Sequence, residues 1–129
     1  MTMQNSKLNK ETFKEEFKKR IKEFIMSLIQ FIDSLANDGT CKVVGNQLLR
    51  SGTSVIANYV EAKAASSRKD YINYFTIAVK SANESKLWIS LLKDSGRLKQ
   101  IDSEWIAKEM DEIANILAAS IITLKSRKP

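Results

Sequence analysis

Arg50, Ser54, Asn58 and Glu61 follow one another at intervals of four, four and three residues, so a helix would stack all four on one face. Gln47 falls on the same side, and Ser81 and Glu84 offer a hydroxyl and a carboxylate further along. Carboxylates facing each other across two helices hold metals or exchange protons, and Glu61 with Glu84 is the pair that could meet in this way. The companions such chemistry needs are missing. The chain has no histidine, which removes Ser-His-Asp and Cys-His catalysis together with the Glu-x-x-His motifs of bundle metal sites. No G-x-x-x-x-G-K-[ST] or G-x-G-x-x-G phosphate cradle occurs. Cys41, at a helix start, reads either as a somewhat acidic thiol or as a small hydrophobe in a turn. No catalytic residue, metal site or cofactor is expected. An enzyme would need Glu61, Glu84 and Tyr74 to converge on a pocket. The plain alternative for the stripe is a wet helix face, because Asn46 and Gln47 lie on that side.

The elements that carry these residues are helices. The sole proline is the last of 129 residues, and breakers are otherwise scarce. Phe13, Phe17, Ile21, Phe24, Leu28, Phe31/Ile32 and Leu35 recur every three or four residues and predict a first helix over about 8–37. Asp38-Gly39 is expected to end it, with glycine in the left-handed position, and Thr40 to cap a second helix over about 41–65. Ser67 and Asp70 have the spacing of a capping box for a third helix over about 68–95, running towards Gly96. Asp102, with Ile101 and Ile106 as a hydrophobic staple, is expected to open a fourth over about 103–126. No stretch alternates with period two, so no sheet is expected. Short connections favour an all-α, antiparallel up-down-up-down four-helix bundle forming a single domain over residues 1–129.

Gly45 and Gly52 lie seven apart inside the apolar arc of the second helix, each costing about 1 kcal/mol of helix propensity relative to alanine. They read as a close helix crossing or as tolerated glycines. On the third helix Ser81 and Ser85 sit near the centre of the apolar arc beside Ala78 and Ala82, where small side chains would admit a neighbour.

The single cysteine excludes an internal disulfide, the first residues lack the apolar core of a signal peptide, and no apolar run reaches a membrane span. A cytoplasmic protein without a membrane partner is expected. The net charge of +6 is terminal: residues 1–22 carry +4, residues 125–129 carry +3, and the remainder carries −1. The topology would gather Lys7, Lys10, Lys14, Lys18, Lys19, Lys63, Arg68, Lys69, Lys125, Arg127 and Lys128 at one pole. Such a pole fits RNA, DNA or another acidic partner. A solvated surface is the competing account, with Glu15–Lys19 and Glu16–Arg20 as ordinary i,i+4 pairs.

The run Gln47-Leu-Leu-Arg50-Ser-Gly-Thr-Ser54-Val-Ile-Ala-Asn58-Tyr-Val-Glu61, then Ser67-Arg-Lys-Asp70-Tyr and Ile77-Ala-Val-Lys-Ser81-Ala-Asn-Glu84, resembles the four-helix-bundle proteins encoded in intervening sequences of bacterial 23S rRNA genes. The resemblance covers about residues 13–120. It departs from the family's N-x-x-E-G ending, since Ala62 follows Glu61. It implies a ring-like homopentamer and a non-enzymatic protein. A related branch, the accessory variability proteins of diversity-generating retroelements, binds a reverse transcriptase and nucleic acid. On this resemblance Gln47, Arg50, Ser54, Asn58, Glu61, Ser81 and Glu84 are expected to form a polar network between helices two and three or across a subunit interface. Arg50 with Glu84 or Glu61 is the preferred ion pair. The expected partners are a second copy of the chain and RNA, DNA or a reverse-transcriptase-like protein. A purely structural or protein-protein adaptor is the alternative.

Overall fold

A computed structural model describes the backbone of residues 3–127, with the side chains of that range other than 3–9, 11 and 100–102. The chain forms α1 (Met3–Asp33), α2 (Gly39–Lys63), α3 (Arg68–Asp94) and α4 (Gln100–Ser126), an antiparallel four-helix bundle. None of the helices, among the described residues, is long and apolar enough to cross a membrane.

Local capping chemistry sets the starts of α2 and α3 and the end of α3, and the end of α1 and the starts of α2 and α4 differ from the sequence expectation. α1 stops at Asp33, so Asp38 and Gly39 start the next helix and do not terminate this one. The Asp38 carboxylate accepts from the Cys41 N–H at 2.8 Å and is the N-cap. Thr40 lies inside the helix because aspartate, two positions earlier, is the stronger cap. Gly39 keeps a negative φ; the one positive-φ glycine among the described residues is Gly96, at 78°. There, Arg97 N–H reaches the Leu92 carbonyl at 2.9 Å and Gly96 N–H the Lys93 carbonyl at 3.0 Å. That pair of bonds is a Schellman close to α3. Ser67 caps α3 by accepting from Asp70 N–H at 3.1 Å. α4 begins at Gln100 after Lys99, with no side-chain cap, so Asp102 stands inside the first turn. The side chains of Ile101 and Asp102, and hence the expected staple, lie outside the described residues.

Among the described residues the backbone of each helix comes close to two neighbours, and the sides are unequal. α2 and α3 approach most closely because Ser51, Ala78, Ser81, Ala82 and Ser85 are small and buried between them. α1 and α4 stand furthest apart as neighbours, since Phe24 and Trp105 meet edge to face between them at 6.1 Å. Phe17, Ile21, Leu28, Leu48, Val55, Ile106, Met110, Ile113 and Leu117 fill the interior.

The two helical glycines face α1, not α3. A Cβ at Gly52 would come within 2.6 Å of a Leu28 methyl, whereas one at Gly45 would meet Leu35 at 3.4 Å and Ile32 at 3.5 Å. Gly52 is therefore a notch that Leu28 occupies, and Gly45 has room for a methyl. Gly45→Ala is expected to stabilise by up to about 1 kcal/mol through helix propensity. Gly52→Ala should lose about 1 kcal/mol net, because displacing the fully buried Leu28 outweighs that gain. Chemical denaturation of the two variants side by side checks the contrast.

Candidate functional site

The polar residues of α2 and α3 form a seam that grades from buried to exposed. At its floor, Ser51 and Ser85 are fully buried with their hydroxyl oxygens 2.7 Å apart, and the Ser85 hydroxyl donates to the Ser81 carbonyl at 2.9 Å. One step outward, Ser54 and Ser81 hydroxyls lie 2.8 Å apart. Asn58 Nδ2 donates to the Ser54 carbonyl at 2.8 Å and to its hydroxyl at 3.0 Å. At the rim Arg50 Nη2 pairs with Glu84, and Arg50 Nε donates to Gln47 at 3.0 Å. Glu61 is exposed and joins none of these bonds among the described residues, so Arg50 has Glu84 and not Glu61 as its carboxylate. Among the described residues each seam serine bonds to a carbonyl, an amide or another hydroxyl. The seam ties two helices together through hydroxyl and amide hydrogen bonds.

Two surface stripes flank this ion pair. Val43, Arg50 and Ala57 are seven apart along α2, and Ile77, Glu84 and Leu91 are seven apart along α3. In an antiparallel pair that centred on Arg50–Glu84, Val43 lies towards Leu91 and Ala57 towards Ile77. Val43 is 64% exposed, Leu91 44% and Ile77 38%, with Leu87 adding a further 52%. The result is a charged pair between two uncovered apolar ends.

The opposite side of the bundle carries an ion cluster absent from the sequence reading. Arg20 reaches Glu109 and Glu112 on α4, with its Nε 3.1 Å from Glu109 Oε2. The expected Glu16–Arg20 pair is replaced by this crossing, and Lys19 sits 3.9 Å from Glu23 instead of pairing with Glu15. An arginine fork matches two carboxylates three residues apart better than it matches one on its own helix. Lys86 joins Asp111 at 2.7 Å between α3 and α4.

At the pole where α1 begins and α4 ends, side chains from all four helices line an open cavity of about 450 Å³. Lys10, Lys14, Lys63 and Arg127 line it together with Phe13, Phe17, Tyr59, Tyr71 and Phe75. The rings are in mutual contact: Phe17 meets Tyr59 edge-on at 5.3 Å, Tyr59 stacks with Phe75 at 5.7 Å, and Tyr71 tilts over Phe75 at 4.6 Å. Arg68 Nη1 donates to the Arg127 carbonyl at 2.8 Å, holding the end of α4 against α3. Tyr59 hydroxyl donates to the Lys14 carbonyl at 3.3 Å. None of the four lining cations has a carboxylate partner among the described residues. Lys69 and Lys125 are exposed near the same end, and Lys18 and Lys19 are exposed farther along α1. The side chains of Lys7 and Lys128 lie outside the described residues. The apolar spacing of the first helix gives Phe13 and Phe17 the signature of core residues, and that spacing does not show that they stand beside lysines of this pole.

Lys63 is the unusual cation. Its ammonium lies 4.9 Å from the Tyr59 ring centre and 5.6 Å from that of Tyr71, and donates to the Tyr71 hydroxyl at 3.2 Å. Burial, with Lys14 nearby, pushes its pKa down to about 8. Burial also pushes Tyr59 up to about 12 and raises Tyr71, so both phenols stay neutral. An unfolded chain keeps Lys63 charged up to its ordinary 10.5, so the folded state bears a penalty below pH 8 that is relieved as pH rises. Lys63→Met is expected to raise the melting temperature at pH 7 and to abolish the relative gain between pH 8 and 10. Thermal unfolding of both chains across that range checks it.

At the other pole Cys41 is buried, and its thiol lies 3.6 Å from Asp38. Burial and the adjoining carboxylate raise its pKa, so it is less acidic than a free thiol, the opposite of a reactive one. Arg97 Nε approaches Asp38 at 3.3 Å and ties the two loops of that pole together. No three metal-ligating side chains cluster among the described residues.

No protein of curated function matches the chain. Among solved structures, a protein with unknown function from the S23 ribosomal protein family of Bacteroides thetaiotaomicron is 35% identical, with a TM-score of 0.78 over 84% of this chain and 96% of the other. Residues 13–119 match the family described as 23S rRNA-intervening sequence protein. That match spans both stripes of the seam and most of the cationic cavity, and the chain belongs to this family.

Proposed function

We propose that this chain is a non-enzymatic, self-assembling bundle, a homopentameric ring, that binds nucleic acid through its basic pole. The observation that carries the nucleic-acid half is the convergence of Lys10, Lys14, Lys63 and Arg127 without a described carboxylate partner. Cations gathered on one open cavity set up a positive field that favours an anionic partner. Assembly is supported by uncovered apolar residues on opposite sides of the bundle. The α2–α3 side offers Val43, Ile77, Leu87 and Leu91, and the α1–α4 side offers Met26 and Trp105. A cyclic ring needs two different complementary surfaces, one from each neighbour. Stacked around a ring, five poles would form a basic annulus, and a strand touching several gains avidity.

The test is binding of RNA and DNA by the intact oligomer as salt rises. Affinity should fall steeply with salt, and reversing Lys14, Lys63 and Arg127 to glutamate should reduce both the affinity and the salt slope. Binding that is absent or indifferent to salt, with the oligomer intact, removes the nucleic-acid half. It would leave the adaptor reading, which the apolar stripes alone support.

A further inference from the structure

The cavity at the basic pole holds more exposed ring than a phosphate-binding patch uses. Phe13 is 56% exposed although it stands among Lys10, Lys14 and Arg127, and its ring stacks on buried Phe17 at 6.2 Å. A groove between α1 and α4 continues from it past Thr123 and Leu124. An aromatic ring backed by a second ring is a firm platform, because Phe17 and Tyr59 fix its support from the core side. Facing it, Tyr71 receives the Lys63 hydrogen bond on its hydroxyl oxygen, which leaves the phenolic hydrogen free to donate.

This combination discriminates between forms of nucleic acid. A duplex presents phosphates, sugars and groove edges, while its base faces are covered by stacking and are not free to lie against a protein ring. An unpaired nucleotide has a free π-face as well as a phosphate. The site is also within the size range of small-molecule pockets.

We infer that the cavity takes one unpaired nucleotide of a single-stranded segment, its base against Phe13 and Tyr71 and its phosphate on Lys14 and Arg127. The inference rests on the nucleic-acid reading above and narrows it. Arg127 and Lys10 also line the adjoining groove, so the flanking nucleotides leave along α1 and α4.

The experiment compares a short single-stranded oligonucleotide carrying 2-aminopurine with a duplex of the same length, using the intact protein. Single strand should bind more tightly, and stacking should quench the 2-aminopurine fluorescence. Phe13→Ala removes an exposed ring and should weaken single-strand binding about tenfold and abolish the quenching, leaving duplex binding unchanged. Phe13→Trp should restore both. If single strand and duplex bind equally with steep salt dependence and Phe13→Ala changes neither, the stacking site is overturned while the basic pole stands. An equal loss of both ligands in Phe13→Ala also overturns it, since the ring would then act only through the fold. No binding of either ligand by the wild-type oligomer overturns the site together with the reading beneath it.

Discussion

If the proposed ring forms through the α2–α3 stripes, a chain carrying Ile77→Glu and Leu91→Lys is expected to scatter light as a folded monomer at concentrations where the unaltered protein is assembled. Ile77 is 38% and Leu91 44% exposed in the single subunit, so their replacement gives up part of their packing but leaves the interior filled. Monomer stability should therefore fall by about 1–2 kcal/mol with helicity retained. The assembled state is different. Each stripe has its apolar ends on either side of Arg50–Glu84, and a neighbour seated there must cover Ile77 and Leu91 together. A charge placed at each end would be desolvated with no partner, at a cost of several kcal/mol per interface. In a cyclic pentamer the cost recurs at all five interfaces, so dissociation should be complete over a wide concentration range. Multi-angle light scattering with circular dichroism decides the matter. A variant that remains pentameric places the interface elsewhere, and a monomeric parent chain removes the ring itself.

The backbone architecture was readable because apolar spacing at three and four residues leaves few alternatives for a chain without internal proline. Errors gathered at the ends of helices. At Asp38, Gly39 and Thr40 three neighbouring residues each had a plausible capping role, and the outcome turned on which side chain reached an orphan N–H. Asp102 illustrates the same problem at α4, which opens without a side-chain cap. Arg20 shows a different one. Local spacing offered it Glu16, but the folded chain presents Glu109 and Glu112 from a helix 89 residues away, which no local pattern encodes. The polar stripe was visible as a stripe, with helix three or a subunit interface as its partner, and the choice of Glu84 over Glu61 for Arg50 needed three-dimensional registry. Ser51 escaped notice because it sits on the apolar side of that stripe, where a serine has no periodic signature. The cationic cavity was half visible: terminal lysines announced a basic pole, while its aromatic lining was indistinguishable from core.

Ser51 and Ser85 are where the fold should prove least tolerant. Ser85 has one hydroxyl hydrogen and gives it to the Ser81 carbonyl at 2.9 Å, so the short 2.7 Å contact with Ser51 runs from the Ser51 hydroxyl to Ser85. The two positions are therefore inequivalent. Ser51→Ala removes a donor from an oxygen that remains bonded elsewhere, and should cost about 0.5–1 kcal/mol. Ser85→Ala strands the Ser51 hydrogen, whose nearest other acceptor is the Leu48 carbonyl at 3.4 Å, and should cost about 1–2 kcal/mol. Removing both hydroxyls leaves no stranded donor between the helices, so the double alanine variant should cost less than the two single losses combined, by about 0.5–1 kcal/mol. Volume matters more than polarity at this site. Both residues are fully buried in the closest helix pair of the bundle, and a leucine at 85 would force α2 from α3 and part the Arg50–Glu84 pair. Ser85→Leu should cost about 3 kcal/mol or more, against an overall stability of roughly 5–15 kcal/mol for a domain of this kind. Because the ion pair and the flanking stripes ride on the same two backbones, that variant should also lose assembly under conditions where it is still folded. Denaturant titration of the four variants, followed by light scattering of those that remain folded, separates the two effects. Additive alanine losses would mean that the serines do not share a bond, and a tolerated leucine would mean that the helices lie farther apart than the seam requires.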